Sequence, residues 1–177
     1  MKGVRNKLSL ALIAGVLPLF LILVLITPLW MYFTGESFFI SSMLKFAEAQ
    51  SDNLPITTVS PLRQMLLLAI IYFPAGLFAF AIWQGMRVTR LVRQKQILTQ
   101  ALARSVRKIA MVMLSLGIVL PVCRFLIPLM VWWPEHYYQA TLLIGDVVLL
   151  LAGGLLLVTF HSLLGGIRAE EENKEFI

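Results

Sequence analysis

Four long apolar runs are the feature of this sequence that most constrains its fold. An α-helix needs about 20 mainly apolar residues to cross a bilayer, and each run reaches or exceeds that length. Charged residues make up 14% of the 177 residues, against about 25% in soluble proteins. The sequence therefore predicts an all-α, four-helix transmembrane bundle forming a single integral membrane domain over residues 1–177. The predicted spans are residues 8–33, 65–85, 109–133 and 140–164.

The basic segment Met86–Lys108 sets the orientation of these spans. It carries seven basic residues and no acidic residue, and it lies between the second and third spans. Lys and Arg beside membrane spans remain in the cytoplasm. The segment is therefore predicted to be a cytoplasmic loop, with both chain termini also cytoplasmic and residues 34–64 outside. Its basic residues are candidates for binding a protein partner or lipid head groups: Arg87, Arg90, Arg93, Lys95, Arg104, Arg107 and Lys108.

The net charge of +6 follows from this topology. Ten of the 15 basic residues lie in Met1–Lys7 and Met86–Lys108, the two basic segments that the orientation places inside. Positive charge in those places is what membrane insertion requires, so no direct nucleic-acid partner is expected. The expected partners are the lipid bilayer, a cytoplasmic or membrane protein, and a second copy of the chain in a homo-oligomer.

The outer segment, residues 34–64, contains one short predicted helix. Apolar residues recur at helical spacing over Ser37–Gln50, which indicates an amphipathic helix that either lies on the bilayer or covers the bundle. Residues 51–61 contain two Pro, two Thr, one Asp and one Asn and are typical of an irregular loop. The outer segment could act as a lid over a ligand or as a plain connector, and the sequence leaves both open.

Arg124 and Asp146 are two ionisable residues deep in apolar runs. Measured from an outer turn centred near His136, their depths differ by only about 3 Å. An unpaired charge at the bilayer centre costs about 2.5–3.5 kcal/mol on insertion scales, so an intramembrane Arg124–Asp146 ion pair is predicted. This pair is either a structural clamp between the third and fourth spans or part of an ion or substrate path. Pro121 and Pro128 flank Arg124, so a break in the third span is also expected.

No pattern of residues predicts catalysis. Cys123 is the only cysteine, so no intrachain disulfide can form, and this excludes the four-helix membrane thiol oxidoreductases, which need cysteine pairs. Two separated histidines do not predict a metal site. No phosphate-binding loop, nucleophile elbow or dinucleotide fingerprint occurs. We therefore expect no enzyme activity, no catalytic residues and no cofactor.

Two stretches resemble a known family. RLVRQKQILTQALARSVRKIA, residues 90–110, and the end of the chain, GDVVLLLAGGLLLV followed by GGIRAEEENKEFI, are similar to the bacterial membrane family called domain of unknown function 2975. The resemblance implies a multi-pass protein of the bacterial inner, or cytoplasmic, membrane. It implies no established activity and no catalytic residue. Many members are thought to accompany small helix-turn-helix regulators, which implies a membrane partner for a cytoplasmic protein.

The leading functional prediction is a non-enzymatic, small inner-membrane protein of an uncharacterised family. It would act as an accessory, regulatory or scaffold subunit that binds a partner through the basic loop and the acidic tail, residues 165–177. The alternative is a small transporter or ligand-binding membrane module that uses the Arg124–Asp146 pair.

Overall fold

The computed structural model describes residues 2–49, 59–94, 99–132 and 141–175, with side chains from residue 15 to residue 173 within these ranges. In the described ranges the chain forms helices α1 (Lys2–Thr34), α2 (Glu36–Phe46), α3 (Pro61–Arg93), α4 (Gln100–Val131) and α5 (Ile144–Glu175). All of these except α2 are long and apolar enough to cross a membrane. The predicted all-α class with four membrane-length helices is confirmed, and the chain is a multi-pass membrane protein by this criterion.

Most of the basic segment is helical. α3 continues to Arg93 and α4 begins at Gln100, so the connection between them is only a few residues long. The hydroxyl of Thr99 accepts a hydrogen bond from the Leu102 amide at 3.3 Å and caps the start of α4. Arg90 and Arg93 lie in the last turn of α3, where positive charge opposes the negative end of the helix dipole. These local interactions extend both helices beyond the predicted spans.

The four long helices pack in the order α1, α3, α4, α5. Each contacts mainly the next one in this row, and α2 packs on α1 and α4 at one end. The buried face of α2 is formed by Phe39, Ile40 and Met43, which share a core with Leu67 of α3 and Ile127 of α4. The short amphipathic helix therefore covers one end of the row.

Helix α4 is not broken around Arg124. It runs without interruption from Gln100 to Val131, with Pro121 and Pro128 inside it. Prolines are tolerated within membrane helices when neighbouring groups satisfy the carbonyls that they leave unpaired. The expected break in the third span is therefore absent, although Pro128 has no amide to bond the carbonyl of Arg124 within α4.

Helices α4 and α5 interlock through glycines. A Cβ atom at Gly117 would lie 2.6 Å from Cγ of Leu150, and one at Gly153 would lie 2.8 Å from Cγ of Leu114. Small residues of this kind allow membrane helices to approach closely. A Cβ atom at Gly154, next along the chain, would meet no atom within 4 Å outside its own stretch of helix. Only one glycine of the Gly153–Gly154 pair therefore contributes to this packing.

Candidate functional site

Arg124 and Asp146 form a buried ion pair between α4 and α5. The guanidinium donates two hydrogen bonds to the carboxylate, from Nη1 to Oδ2 at 2.5 Å and from Nη2 to Oδ1 at 3.0 Å. Arg124 is 5% exposed and Asp146 is 1% exposed. A paired, two-point contact of this type fixes the relative position of the two groups as well as neutralising their charges.

The start of α5 places Asp146. The helix begins at Ile144, and Asp146 lies in its first turn, where the positive end of the helix dipole favours a carboxylate. Oδ2 of Asp146 also accepts a hydrogen bond from the Leu143 amide at 2.9 Å. The sequence predicted a span starting at residue 140, so the role of Asp146 at a helix start was missed. The predicted outer turn, centred near His136, lies outside the described residues.

Helix α2 covers the ion pair from one side. The Phe46 ring centroid lies 5.8 Å from Cζ of Arg124, a cation–π contact. The Thr141 hydroxyl donates a hydrogen bond to the Ala47 carbonyl at 3.1 Å and so joins the segment before α5 to the end of α2. One polar atom of the site, Nε of Arg124, is buried and has no hydrogen-bond partner in the described part of the chain.

The geometry of the pair favours the clamp interpretation over the path interpretation. Phe46 also lines a cavity of about 280 Å³, together with residues such as Thr27, Ser42 and Phe78. Neither Arg124 nor Asp146 lines that cavity. An ion or substrate path would need a polar approach to the charges, whereas both members of this pair are almost completely buried and neutralise each other.

Six cations of α3 and α4 lie at the opposite end of α4 from the ion pair. Three of them are on the last turns of α3 and form the α3 set: Arg87, Arg90 and Arg93. Three are on the first turns of α4 and form the α4 set: Arg104, Arg107 and Lys108. All six are exposed, and neither helix carries an acidic residue in this region. Lys95, the seventh predicted cation, lies outside the described residues.

A groove separates α3 from the α4 set. It has a volume of about 400 Å³. Its lining residues are Phe80, Arg104, Arg107, Lys108, Met111 and Val112. The sequence could not predict it, because the groove depends on how α3 and α4 are rotated against each other. The charge pattern of the sequence predicted only that its three cations are candidate binding residues.

The acidic tail continues α5 as a helix to Glu175. Contacts between α4 and α5 fix an antiparallel register in which Gly117 faces Leu150 and Arg107 faces Phe160. Continuing that register sets the first residues of α4 opposite Ile167. Residues 170–175 therefore extend beyond the start of α4. The exposed Glu171 and Glu172 lie past the end of the helix that carries the α4 set and do not lie opposite its cations.

The protein of unknown function family DUF2975 matches this chain over residues 46–177. The chain belongs to the DUF2975 family. The family resemblance seen in the basic segment and the last helix is therefore confirmed. No curated protein and no solved structure matches the chain.

The DUF2975 match covers the long helices that carry the Arg124–Asp146 ion pair and the groove beside the α4 set. It begins at Phe46, the residue whose ring packs on Arg124, and it contains the whole of α3, α4 and α5. Helix α1 lies outside it. Among the described residues of this DUF2975 protein, no three His, Cys, Asp or Glu side chains group together where they could hold a metal ion.

Proposed function

We propose that this DUF2975 protein is a non-enzymatic accessory or regulatory subunit of the bacterial inner membrane. In this proposal the end that carries the six cations, the basic end, faces the cytoplasm. There it binds a protein partner through the α3 set, with the acidic continuation of α5 as a second contact. The observation that carries the proposal is the group of six exposed cations without an acidic neighbour on α3 or α4.

Electrostatics supports a partner with an acidic surface. The exposed cations on the two helices raise the local positive potential, which attracts an acidic surface and accelerates its association. The positive-inside rule accounts for the location of these charges. It does not require them to be exposed on two rigid helices, and such a surface can recognise a partner of matching shape as well as charge.

The ion pair has a supporting role in this proposal. It holds α4 and α5 in register at one end, while the glycine contacts hold them together along their length. The same register sets the distance between the basic end of α4 and the acidic end of α5. The ion pair therefore helps to position the acidic end of α5, the proposed second contact, without itself contacting the partner.

Charge reversal of the α3 set tests the proposal. The tagged full-length chain is purified from its native membrane in mild detergent, and the co-purifying proteins are identified by mass spectrometry. We expect a stoichiometric partner with the native chain and its loss with Arg87→Glu, Arg90→Glu and Arg93→Glu combined. The matched control is Lys45→Glu, which alters an exposed cation on α2 at the other end.

Two results would contradict the proposal. One is recovery of the native chain with no stoichiometric partner. The other is a partner that stays bound to the α3 variant as tightly as to the Lys45→Glu control. Thermal unfolding of each variant in the same detergent shows whether the helices remain assembled, so that a loss of binding is not confused with a loss of fold.

A further inference from the structure

The groove beside the α4 set has charged and apolar parts in a fixed order. Arg104, Lys108 and Met111 recur at the spacing of successive helix turns, so they follow one another along the same face of α4. From Arg104 to Met111 the helix rises about 10 Å. The cations therefore lie at the basic end of the groove, and Met111, Val112 and Phe80 lie farther towards the middle of the membrane-length helices.

The α4 set lies in the second and third turns of α4, beside the start of the helix. α4 has no acidic residue in its first turn, and the free amides at a helix N-terminus carry partial positive charge. Arg104, Arg107 and Lys108 add three full positive charges to the first nine residues of the helix. Arg90 and Arg93 occupy the favourable C-terminal end of α3 instead. No acidic side chain of α3 or α4 compensates the three charges of the α4 set, so the set is suited to an anion.

Two of the three cations are already positioned by neighbouring side chains. Cζ of Arg107 lies 5.7 Å from the Phe160 ring centroid on α5, and Nη2 of Arg104 donates a hydrogen bond to Oε1 of Gln100 at 3.2 Å. Neither contact neutralises the charge, and both side chains remain exposed. Positioned cations lose less side-chain entropy when they bind an anion than freely rotating ones do.

We propose that this groove binds an anionic glycerophospholipid. Arg104, Arg107 and Lys108 contact the phosphate, and an acyl chain lies along Phe80, Met111 and Val112. A free phosphate would use only the charged end, whereas a lipid uses both ends in the order in which they occur. Basic pockets between membrane helices are known to take anionic head groups. The proposal is independent of the protein partner, which uses the α3 set.

Native mass spectrometry of the purified full-length chain tests this binding. The protein is titrated with dioleoyl phosphatidylglycerol, with dioleoyl phosphatidylcholine and with soluble glycerol phosphate. We expect saturable binding of one phosphatidylglycerol, with at least tenfold weaker binding of the other two. Replacing Arg104, Arg107 and Lys108 together by Gln should weaken phosphatidylglycerol binding by about 100-fold, or about fivefold for each cation lost.

The α3 set supplies a control that removes the same charge. Arg87→Gln, Arg90→Gln and Arg93→Gln combined lower the net charge by three but leave the groove intact, so we expect phosphatidylglycerol binding to change less than twofold. Equal loss in both triple variants would overturn the proposal in favour of general charge attraction. Unchanged binding in the α4 variant, or equal binding of glycerol phosphate, would also overturn it.

A smaller variant covers the case in which the α4 triple variant does not fold. Arg104→Gln with Lys108→Gln keeps the contact between Arg107 and Phe160, and it should weaken phosphatidylglycerol binding by about 25-fold. The partner experiment and the lipid experiment fail separately, because the first depends on the α3 set and the second on the α4 set. If the α4 variant loses a protein partner while its lipid binding is unchanged, the groove is a protein site and the lipid proposal is wrong.

Discussion

Arg124 and Asp146 show how strongly the membrane environment constrains single residues. Two charges in apolar runs at similar depth cost too much free energy to remain apart, so their pairing could be predicted from spacing alone. The structure places the two groups in a two-point contact. It adds the Leu143 amide, which depends on where α5 begins, and the Phe46 ring, which depends on the position of α2. Spacing could not provide the Phe46 contact, because α2 is placed by contacts between residues far apart in the sequence.

Removing either charge should destabilise the protein more than removing both. Arg124→Gln or Asp146→Asn leaves an uncompensated buried charge, and we expect each to lower the free energy of unfolding by about 3–5 kcal/mol. Arg124→Met combined with Asp146→Leu leaves no unpaired charge and should be much closer to the native chain. Unfolding with increasing sodium dodecyl sulfate in mixed micelles measures these differences.

Lys45→Gln is the control for this comparison, because Lys45 is exposed on α2 and its loss should change stability by less than about 0.5 kcal/mol. The clamp interpretation also requires the doubly apolar variant to retain partner capture. A doubly apolar variant that folds but captures no partner would show that the two charges take part in partner binding, and the clamp interpretation would be wrong.

At the scale of the helices, the length of each element was less predictable than its existence. Hydropathy located four spans, but caps and dipole effects carried α3 and α4 into the basic segment, and good helix-forming residues carried α5 to Glu175. Gly153 contributes to helix packing and Gly154 does not, because the rotation of α5 about its axis turns only Gly153 towards α4. Neighbouring glycines look equivalent in the sequence, although only one faces α4.

A methyl group at these two glycines should have opposite effects on the pairing of α4 with α5. A Cβ at Gly153 meets the Ala110 carbonyl oxygen at 3.0 Å as well as Leu114, and a backbone atom cannot move aside easily. Gly153→Ala should therefore cost about 1–3 kcal/mol of stability. Gly154→Ala meets no neighbour and should be neutral or slightly stabilising. The same detergent titration compares them, and equal stability of the two variants would refute the interlocked packing.

For the whole molecule, hydropathy and charge predict the number and direction of the spans but not their lateral arrangement. The helices form a row in which α1 and α5 each leave apolar side chains exposed, for example Phe20 and Leu155. Lipid satisfies such surfaces, so hydropathy cannot specify which helices are neighbours. The groove beside the α4 set follows from that arrangement, and this is why the sequence identified its charges but not its shape.

The proposed orientation makes a prediction for the whole chain in intact cells. Cys123 is buried, so a Cys123→Ser background allows single cysteines to report membrane sidedness. Gln94→Cys and Glu171→Cys lie at the basic end and should resist a membrane-impermeant maleimide until the cells are opened, because both are cytoplasmic. Lys45→Cys on α2 should react in intact cells, since α2 lies at the other end of membrane-length helices. Labelling of Gln94→Cys in intact cells with protection of Lys45→Cys would show that the orientation is the reverse of the proposed one. A cytoplasmic partner at the basic end would then be ruled out, and the lipid groove would face the opposite leaflet.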